Sequence, residues 1–398
     1  MKYCIIIMDG AAGRPLPERD GMTCLELAKT PNLDRMAGTG RLGMTGTIPP
    51  GMEPSSSNGC MSVLGYDPEV NPAGRAAIEA LSMGVPVAEG DVLFRCNLVT
   101  LKDGLMHDYS AGHISTGEAQ RIVETLNREL GSDTLHFYPG LNYRHILKIS
   151  GSEETLAAEC TPPHDIPGQP AAENRPRGRG SEFLDGLMRR SEDILRDHPV
   201  NRERRERGEA TADTIWLFWG SSTPPPMSPF SQRYGVKAAV TSAVDVIRGL
   251  AQMLEIDILE IPGVTDGLDN DYTAQIEGAL ASLADYDLAV VHIEAPDEEG
   301  HHGSIDRKVE AIQRIDTEVM SRVRAWKEDG LRVLVMPDHP TPIEIRTHSG
   351  DPVPFMLWGE GFSPNGAVRF TETEAAKTGL SVERAYTIMG MVTGKGEE

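Results

Sequence analysis

The sequence predicts an α/β protein whose mostly parallel sheet is flanked by helices and interrupted by a smaller, inserted α+β domain. Apolar strand-like runs alternate with amphipathic helix-like runs after residue 213. This alternation is typical of a parallel sheet covered on both faces. Residues 74–213 lack it. We therefore expect residues 1–73 and 214–398 to form one core and residues 74–213 to form the insertion.

The first core segment begins with a strand. The run "YCIIIM", residues 3–8, is rich in β-branched residues and stops at Asp9, as expected for a buried strand that leads into a loop. A short helix is predicted after Thr30, which can cap it, with Pro31 in its first turn. A loop rich in Gly, Pro and Ser follows this helix.

The inserted segment mixes strands with charged helices. Ser115 and Glu118 have the spacing of a capping box, which marks the start of one helix. The basic run at 175–180 lies in a stretch without hydrophobic periodicity and is predicted to be a solvated loop. The predicted elements are strand 90–101, helix 115–131, strand 143–149 and helices 181–198 and 200–210.

The second core segment carries the regular alternation. Its apolar runs have strand length, and the segments between them have helical periodicity. The predicted order is strand 214–220, helix 237–254, strand 257–263, helix 271–284, strand 286–295, helix 304–328, strands 331–336 and 352–359, and a terminal helix.

Composition narrows the class of protein. Of the 398 residues, 39% are hydrophobic and 25% are charged, as in ordinary globular proteins. The formal net charge of −22 argues against nucleic-acid binding, because phosphate backbones would be repelled. No apolar run has membrane-spanning length, and the N-terminal run is too short for a signal sequence. The five scattered cysteines suggest reduced thiols, so we expect a cytoplasmic protein without membrane or nucleic-acid partners.

Acidic and imidazole side chains follow several predicted strands. Ligands bind beyond the carboxyl ends of strands in parallel sheets, so these side chains are expected to meet at one edge. Each alone is also explained as a turn former, a cap or a surface pair. Together they suit two divalent ions such as Mn²⁺ or Zn²⁺, which can clamp a phosphoryl group during its transfer. The candidates are Asp9, Asp297, His301, Asp338, His339 and His348.

The loop containing Ser55, Ser56 and Ser57 offers a nucleophile for such a site. It precedes a predicted helix start, where the helix dipole and a metal ion would both favour the alkoxide. The alternative explanation is a flexible Ser-rich turn without catalytic function.

The order of these motifs resembles a known family. With Asp9, the serine loop, "LGYDP", "APDEEGHHG", "PDH" and "HSGDPVP", the chain resembles the archaeal-type cofactor-independent phosphoglycerate mutases of the alkaline phosphatase superfamily. The resemblance covers nearly the whole chain. It implies an alkaline-phosphatase-like core and an inserted domain that binds substrate and acts as a lid. It also implies isomerisation of 3-phosphoglycerate and 2-phosphoglycerate, a step of glycolysis and gluconeogenesis, through a phosphoserine intermediate.

The same resemblance implies two metal ions and no requirement for 2,3-bisphosphoglycerate. Mn²⁺ is the expected metal, with Zn²⁺, Mg²⁺ or Co²⁺ as alternatives. Counting back from "LGYDP" makes Ser56 the nucleophile. The family usually has Gly-Ser-Asp where this chain has three serines, so Ser57 is a rival. One ion would be bound by Asp9, Ser56, Asp338 and His339, and the other by Asp297, His301 and His348.

The resemblance also implies cationic groups for the phosphate and carboxylate of the substrate. Each of these residues could instead be the partner of a surface salt bridge. The implied substrate-binding residues are Arg75, Arg95, His113 and Arg144 in the insertion and Lys237 in the core.

Two other functions stay open at this point. The chain could be a metal-dependent phosphatase or another phosphomutase of the same superfamily. It could also be a non-catalytic binding protein on this fold, although all six non-serine metal positions are kept. The expected partner is a small phosphoglycerate molecule, and the protein could be a monomer or a homo-oligomer.

Overall fold

The computed structural model describes residues 1–326 and 330–395. The chain divides into two compact units. The first unit consists of Met1–Pro72 and Pro226–Glu398, and the second consists of Ala73–Pro225. The predicted insertion ended at residue 213, whereas the second unit ends at Pro225.

Thirteen strands lie in the described residues. They are β1 Lys2–Met8, β2 Arg41–Gly46, β3 Asp91–Lys102, β4 Leu105–Asp108, β5 Leu135–Pro139, β6 Arg144–Ser150, β7 Thr214–Ser222, β8 Ala238–Thr241, β9 Asp257–Ile258, β10 Leu288–Ile293, β11 Leu331–Met336, β12 Val353–Gly359 and β13 Ser381–Arg384.

The α-helices are numbered in the same way, and a π-helical turn, Ile315–Met320, joins α12 to α13. The helices are α1 Cys24–Leu27, α2 Pro31–Thr39, α3 Ser56–Val63, α4 Arg75–Ser82, α5 Thr116–Leu130, α6 Ser181–Arg196, α7 Pro199–Glu206, α8 Phe230–Tyr234, α9 Asp245–Met253, α10 Tyr272–Ser282, α11 Ala295–His301, α12 Ile305–Arg314, α13 Ser321–Arg324, α14 Glu372–Lys377 and α15 Ile388–Thr393.

The first unit is built on an eight-stranded sheet in the order β13-β2-β12-β11-β1-β10-β8-β9. The strands from β11 to β9 in this order are parallel to their neighbours, whereas β12 is antiparallel to β11 and to β2. The fold class predicted from the sequence is therefore confirmed. β1 lies between β10 and β11, so three parallel strands end side by side at one edge.

β1 is buried on both faces of this sheet. Ile5 and Ile7 are fully buried on one face, and Ile6 and Met8 are fully buried on the other. Helices cover both faces, so a strand in this position needs apolar residues throughout rather than at alternate positions. That requirement explains the continuous apolar run at the start of the chain.

Residues 237–254 differ from the prediction. They were predicted as one helix, but residues 238–241 form β8, which pairs in parallel with β10, and only α9 is helical. The wrong assignment arose because "AAVT" is buried on both faces and carries no strand alternation. The strand predicted for 286–295 ends at Ile293, and Ala295–His301 forms α11. Residues 327 and 328 of the predicted helix 304–328 lie outside the described residues.

The second unit contains an antiparallel five-stranded sheet with β3 at its centre. β6 pairs with one side of β3, and β7 pairs with its other side. β5 pairs with β6, and β4 pairs with the end of β3. β7 was predicted as a strand of the core, and its pairing with β3 explains the later end of this unit. The hydrophobic core of the second unit includes Phe94, Leu126, Leu184 and Trp216.

Within the described ranges, we find no helix long and apolar enough to cross a membrane.

Candidate metal centre

The carboxyl ends of β1, β10 and β11 bring the predicted Asp and His side chains together. The three strands are parallel neighbours, so the segments that follow them leave the sheet at one edge. α11 carries the two candidates that follow β10, and α3 begins with the candidate nucleophile. The side chains that meet there are Asp9, Ser56, Asp297, His301, Asp338, His339 and His348.

One group consists of Asp9, Asp338 and His339, all fully buried. The His339 Nε2 atom lies 3.5 Å from Asp9 Oδ1 and 3.4 Å from Asp338 Oδ2. The Ser56 hydroxyl lies 3.2 Å from the same nitrogen. The hydroxyl therefore shares one small volume with two carboxylates and an imidazole.

A second group consists of Asp297, His301 and His348. Asp297 Oδ2 lies 3.1 Å from His301 Nε2, and Asp297 Oδ1 lies 3.7 Å from His348 Nε2. The two histidine Nε2 atoms are 2.9 Å apart. The ring centroids of His339 and His348 are 4.0 Å apart, so the two groups are adjacent.

In the second group, the hydrogen bonds of the Nδ1 atoms show which ring nitrogen of each histidine carries the proton. His301 Nδ1 lies 2.9 Å from the Arg346 carbonyl oxygen, and His348 Nδ1 lies 3.2 Å from the Pro54 carbonyl oxygen. A carbonyl oxygen can only accept, so each Nδ1 carries a proton. In the neutral rings both Nε2 atoms then present lone pairs to each other, which favours a cation between them. Histidine ligands of metal ions are commonly held in this way.

The buried acids also need a cation. Burial, followed by the charges of Asp338 and Asp297, raises the pKa of Asp9 well above its usual range. Among the described residues, Asp9 Oδ1 has no hydrogen-bond partner although it is buried. Divalent transition metals prefer carboxylate and imidazole ligands. A bound ion would also satisfy the buried carboxylate oxygen that has no hydrogen bond. The side chains present therefore fit a metal site.

Protons and metal ions compete at the second group. Although burial lowers the pKa of His301, its hydrogen bond to Asp297 and the charge of that carboxylate raise it to about 9. Burial opposes ionisation of Asp297, but its hydrogen bonds to His301 and His348 lower its pKa well below the usual range. A divalent ion bound by this group would displace a proton from His301.

The three serines of the candidate nucleophile loop have different surroundings. Ser55 is the N-cap of α3, and its hydroxyl accepts from the Asn58 amide. Ser56 is the first residue of that helix and lies beside His339. The Ser57 hydroxyl is buried 2.9 Å from the Ser55 hydroxyl. Ser56 thus remains the stronger candidate.

Two residues beside Asp9 were missed from the sequence. His292, in β10, lies with Nε2 2.7 Å from Asp9 Oδ2 and Nδ1 3.1 Å from the Ser242 hydroxyl. Glu294 Oε2 lies 3.7 Å from His292 Nε2, and burial followed by the charge of Asp9 raises the pKa of Glu294. The available signal was a histidine that interrupts the apolar run "LAVVHI".

Three of the predicted substrate-binding residues lie close together in the second unit. The Glu79 carboxylate accepts from Arg75 Nε at 2.9 Å and from Arg95 Nη1 at 2.6 Å. Burial lowers the pKa of Arg95, Glu79 raises it, and the charges of Arg75 and Arg144 lower it further. Arg75 also stacks over Trp219, 4.5 Å from the ring centroid. One buried carboxylate therefore holds two guanidinium groups, with a third nearby.

The other two predicted substrate-binding residues lie elsewhere in their units. His113 is exposed, with a left-handed backbone (φ 49°), in the turn before α5. Lys237 is exposed and directly precedes β8, and its ammonium lies 4.3 Å from the centroid of the Tyr286 ring. The metal-ligand candidates follow strands parallel to β8, so Lys237 lies at the opposite edge of the sheet. We therefore correct its assignment and leave it out of the site.

Comparison with known proteins identifies the family. A model of the 2,3-bisphosphoglycerate-independent phosphoglycerate mutase family matches residues 37–201. A mutase of that name from Methanosarcina barkeri is 42% identical over 396 residues, covering 98% of this chain and 99% of the relative. The chain belongs to this family. A probable mutase of the same name from Geobacter sulfurreducens is 40% identical over 399 residues, with 98% and 99% covered.

Solved structures agree with membership in this mutase family. A protein of Pyrococcus horikoshii superposes with a TM-score of 0.83 and 28% identity, covering 100% of this chain and 98% of that one. A cofactor-independent phosphoglycerate mutase from Thermoplasma acidophilum gives a TM-score of 0.67 and 26% identity, with 99% of each chain covered. The family assignment made from the motifs is confirmed, whereas the individual site residues remain predictions.

Proposed function

We propose that the chain interconverts 3-phosphoglycerate and 2-phosphoglycerate through a phosphoserine at Ser56, with two divalent metal ions and without 2,3-bisphosphoglycerate. Membership in the mutase family supports the substrate class and the independence of 2,3-bisphosphoglycerate. The proposed ligands are Asp9, Ser56, Asp338 and His339 for one ion and Asp297, His301 and His348 for the other.

One observation carries the proposal. The Ser56 hydroxyl lies 3.2 Å from His339 Nε2, within a cluster of three buried aspartates and three histidines. A hydroxyl beside such a cluster is suited to attack a phosphorus atom, because cations bound by the cluster would lie next to the nucleophile. Bound divalent ions would lower the pKa of the hydroxyl and neutralise charge on the phosphoryl oxygens. We propose Mn²⁺, because mixed carboxylate and imidazole ligands suit it.

The residues of this chain have distinct proposed tasks. Ser56 attacks the phosphorus of 3-phosphoglycerate, the bond from phosphorus to the 3-oxygen breaks, and the serine proton ends on that oxygen of the released glycerate. Ser56 carries the phosphoryl group while glycerate reorients. The second hydroxyl of glycerate then takes the group back. The amino end of α3 adds its partial positive charge at Ser56. His292 keeps Asp9 in position by donating to its carboxylate.

For the second unit we propose a substrate-binding role carried by Arg75, Arg95 and Arg144. Glu79 neutralises one of the three positive charges and fixes the planes of Arg75 and Arg95. Two net positive charges remain, which suits a ligand with a phosphate and a carboxylate.

The direct test follows two products at once. Purified protein with Mn²⁺ and 3-phosphoglycerate is expected to form 2-phosphoglycerate to equilibrium while releasing little free phosphate. Removal of the metal with a chelator is expected to abolish isomerisation, and returning Mn²⁺ is expected to restore it. The chelated and reconstituted samples are the same protein, so they control for unfolding during preparation.

The assay also separates the proposal from its main rival. Phosphate release faster than isomerisation would identify a metal-dependent phosphatase on this fold. No turnover of phosphoglycerate with any of Mn²⁺, Zn²⁺, Mg²⁺ or Co²⁺ would contradict the proposed function.

A further inference from the structure

Thr341 connects the two candidate metal groups. It lies two residues after His339 and is fully buried. Its hydroxyl donates to Asp297 Oδ1 and lies 3.3 Å from His339 Nδ1. One side chain therefore contacts a proposed ligand of each ion.

The chemistry of the three groups fixes the direction of both hydrogen bonds. The Asp297 carboxylate oxygen accepts the hydrogen bond that the Thr341 hydroxyl donates. The Thr341 proton therefore points to Asp297, and the Thr341 oxygen is left to accept from His339. A neutral imidazole carries a proton on one ring nitrogen and a lone pair on the other. With its proton on Nδ1, the lone pair is on Nε2, the atom that faces Ser56, Asp9 and Asp338.

The Thr341 side chain packs closely against Gly10 and Gly300. A Cβ atom on Gly10 would lie 2.6 Å from Thr341 Oγ1, and one on Gly300 would lie 2.8 Å from Thr341 Cγ2. Both neighbours are glycines, so the threonine hydroxyl and methyl group fit between two backbone segments. A side chain at either glycine position would therefore collide with Thr341.

A buried lysine holds the backbone of Thr341. Lys308 Nζ donates to the Thr341 carbonyl at 2.7 Å and to the Ala12 carbonyl at 3.1 Å. The Thr341 amide donates to the same Ala12 carbonyl at 3.1 Å. These bonds tie the segment after β11 to the segment after β1, which carries Asp9.

We propose that Thr341 is a positioning residue that sets the His339 tautomer for one metal ion and orients Asp297 for the other. This inference rests on the proposed two-ion function. The chain of hydrogen bonds from His339 through Thr341 to Asp297 joins the two ion sites. Loss of the Thr341 hydroxyl therefore weakens both. Loss of partners that orient metal ligands typically lowers affinity by roughly 10- to 100-fold.

Two variants separate hydrogen bonding from packing. Thr341→Val keeps the shape of the side chain and removes the hydroxyl, whereas Thr341→Ser keeps the hydroxyl and removes the methyl group beside Gly300. Calorimetric titration of metal-free protein with Mn²⁺ measures the affinity and number of ions without relying on activity. We expect Thr341→Val to bind Mn²⁺ roughly 10- to 100-fold more weakly and Thr341→Ser to stay close to the wild type.

Each other outcome has a distinct meaning. If Thr341→Val binds like the wild type, or if Thr341→Ser is weakened as much as Thr341→Val, the positioning role is wrong. If the wild type binds fewer than two ions, the proposed function itself is contradicted. Circular dichroism and thermal melting of the metal-free variants show whether each one is folded before titration.

Discussion

Ser56 and Ser57 are neighbouring hydroxyls that the fold uses differently. Ser56 lies beside His339, whereas Ser57 is buried against the hydroxyl of Ser55 at the start of α3. Counting back from the motif "LGYDP" favoured Ser56 but left Ser57 as a rival, because both lie at the start of the same predicted helix. Their side chains differ in direction, and the Ser56 hydroxyl is the one that forms a hydrogen bond with His339.

Replacing the two serines tests this difference. Ser56→Ala is expected to lower kcat by about 10³-fold or more, because removal of a covalent nucleophile leaves no group to carry the phosphoryl. Ser57→Ala is the matched control and is expected to keep most of the activity. Mass spectrometry of protein quenched during turnover should detect a phosphoserine in Ser57→Ala and none in Ser56→Ala. The reverse pattern would make Ser57 the nucleophile.

At the level of elements, α3 lies unusually close to the segment after β11. A Cβ atom on Gly59 would lie 2.3 Å from the Asp338 carbonyl oxygen. The helix that carries Ser56 can therefore reach the metal-ligand segment only because this position has no side chain. A glycine at position 59 is therefore required for Ser56 to lie beside the metal-ligand segment.

Gly59→Ala is expected to push α3 away from Asp338. Overpacking against backbone destabilises proteins by roughly 1–3 kcal/mol, and the displaced Ser56 should lower kcat as well. Gly186→Ala is the matched control. Gly186 lies inside α6 with no atom within 4 Å of an added Cβ, so its replacement should stabilise the helix by up to about 1 kcal/mol. Urea denaturation and the mutase assay measure both effects. Equal stability changes in the two variants would contradict the close approach.

The elements also show what could be predicted from sequence. β1, β10 and β11 were recognised because strands buried on both faces carry continuous apolar runs. β8 was mistaken for the start of a helix because its four buried residues are too few to show a period. β7 was recognised as a strand, but its pairing partner β3 could not be inferred, since pairing depends on residues far away in the sequence.

The same limit applies to the site. Asp9, Asp338 and His339 could be proposed because they directly follow apolar runs. His292 was missed, because a histidine that interrupts an apolar run does not reveal a partner 283 residues away. Thr341 had no signal, since a sequence does not give the direction of a hydrogen bond. Lys237 was assigned by resemblance alone, and the resemblance did not distinguish the two edges of the sheet.

For the molecule as a whole, the candidate site opposes stability when no metal is bound. The net charge of the chain is −22, and the cluster adds repulsion among buried carboxylates. The pKa of Asp9 is raised in the folded protein, so the unfolded chain releases this proton at lower pH. Stability from this group is therefore lost as the pH rises above the usual range of an aspartate, and at pH 7 Asp9 is unfavourable for folding.

Asp9→Asn is expected to separate stability from metal binding. In the presence of a chelator its melting temperature should equal or exceed that of the wild type, because one buried carboxylate is removed while an oxygen still accepts from His292. Mn²⁺ should raise the melting temperature of the wild type. At a free Mn²⁺ concentration of one hundred times the dissociation constant, the free energy of unfolding should rise by about 2.7 kcal/mol. The variant should gain much less. A large Mn²⁺ response in Asp9→Asn would contradict the assignment of Asp9 as a ligand.

The position of β1 has a consequence for how the protein is made. This strand leaves the ribosome long before its two neighbours in the sheet, β10 and β11, which begin at Leu288 and Leu331. The sheet of the first unit must therefore wait for the synthesis of β10 and β11, which leaves an apolar strand unpaired in the nascent chain. Ala73–Pro225 are contiguous and can fold earlier. We expect chaperones that bind exposed strands to engage β1 until β10 and β11 have been synthesised.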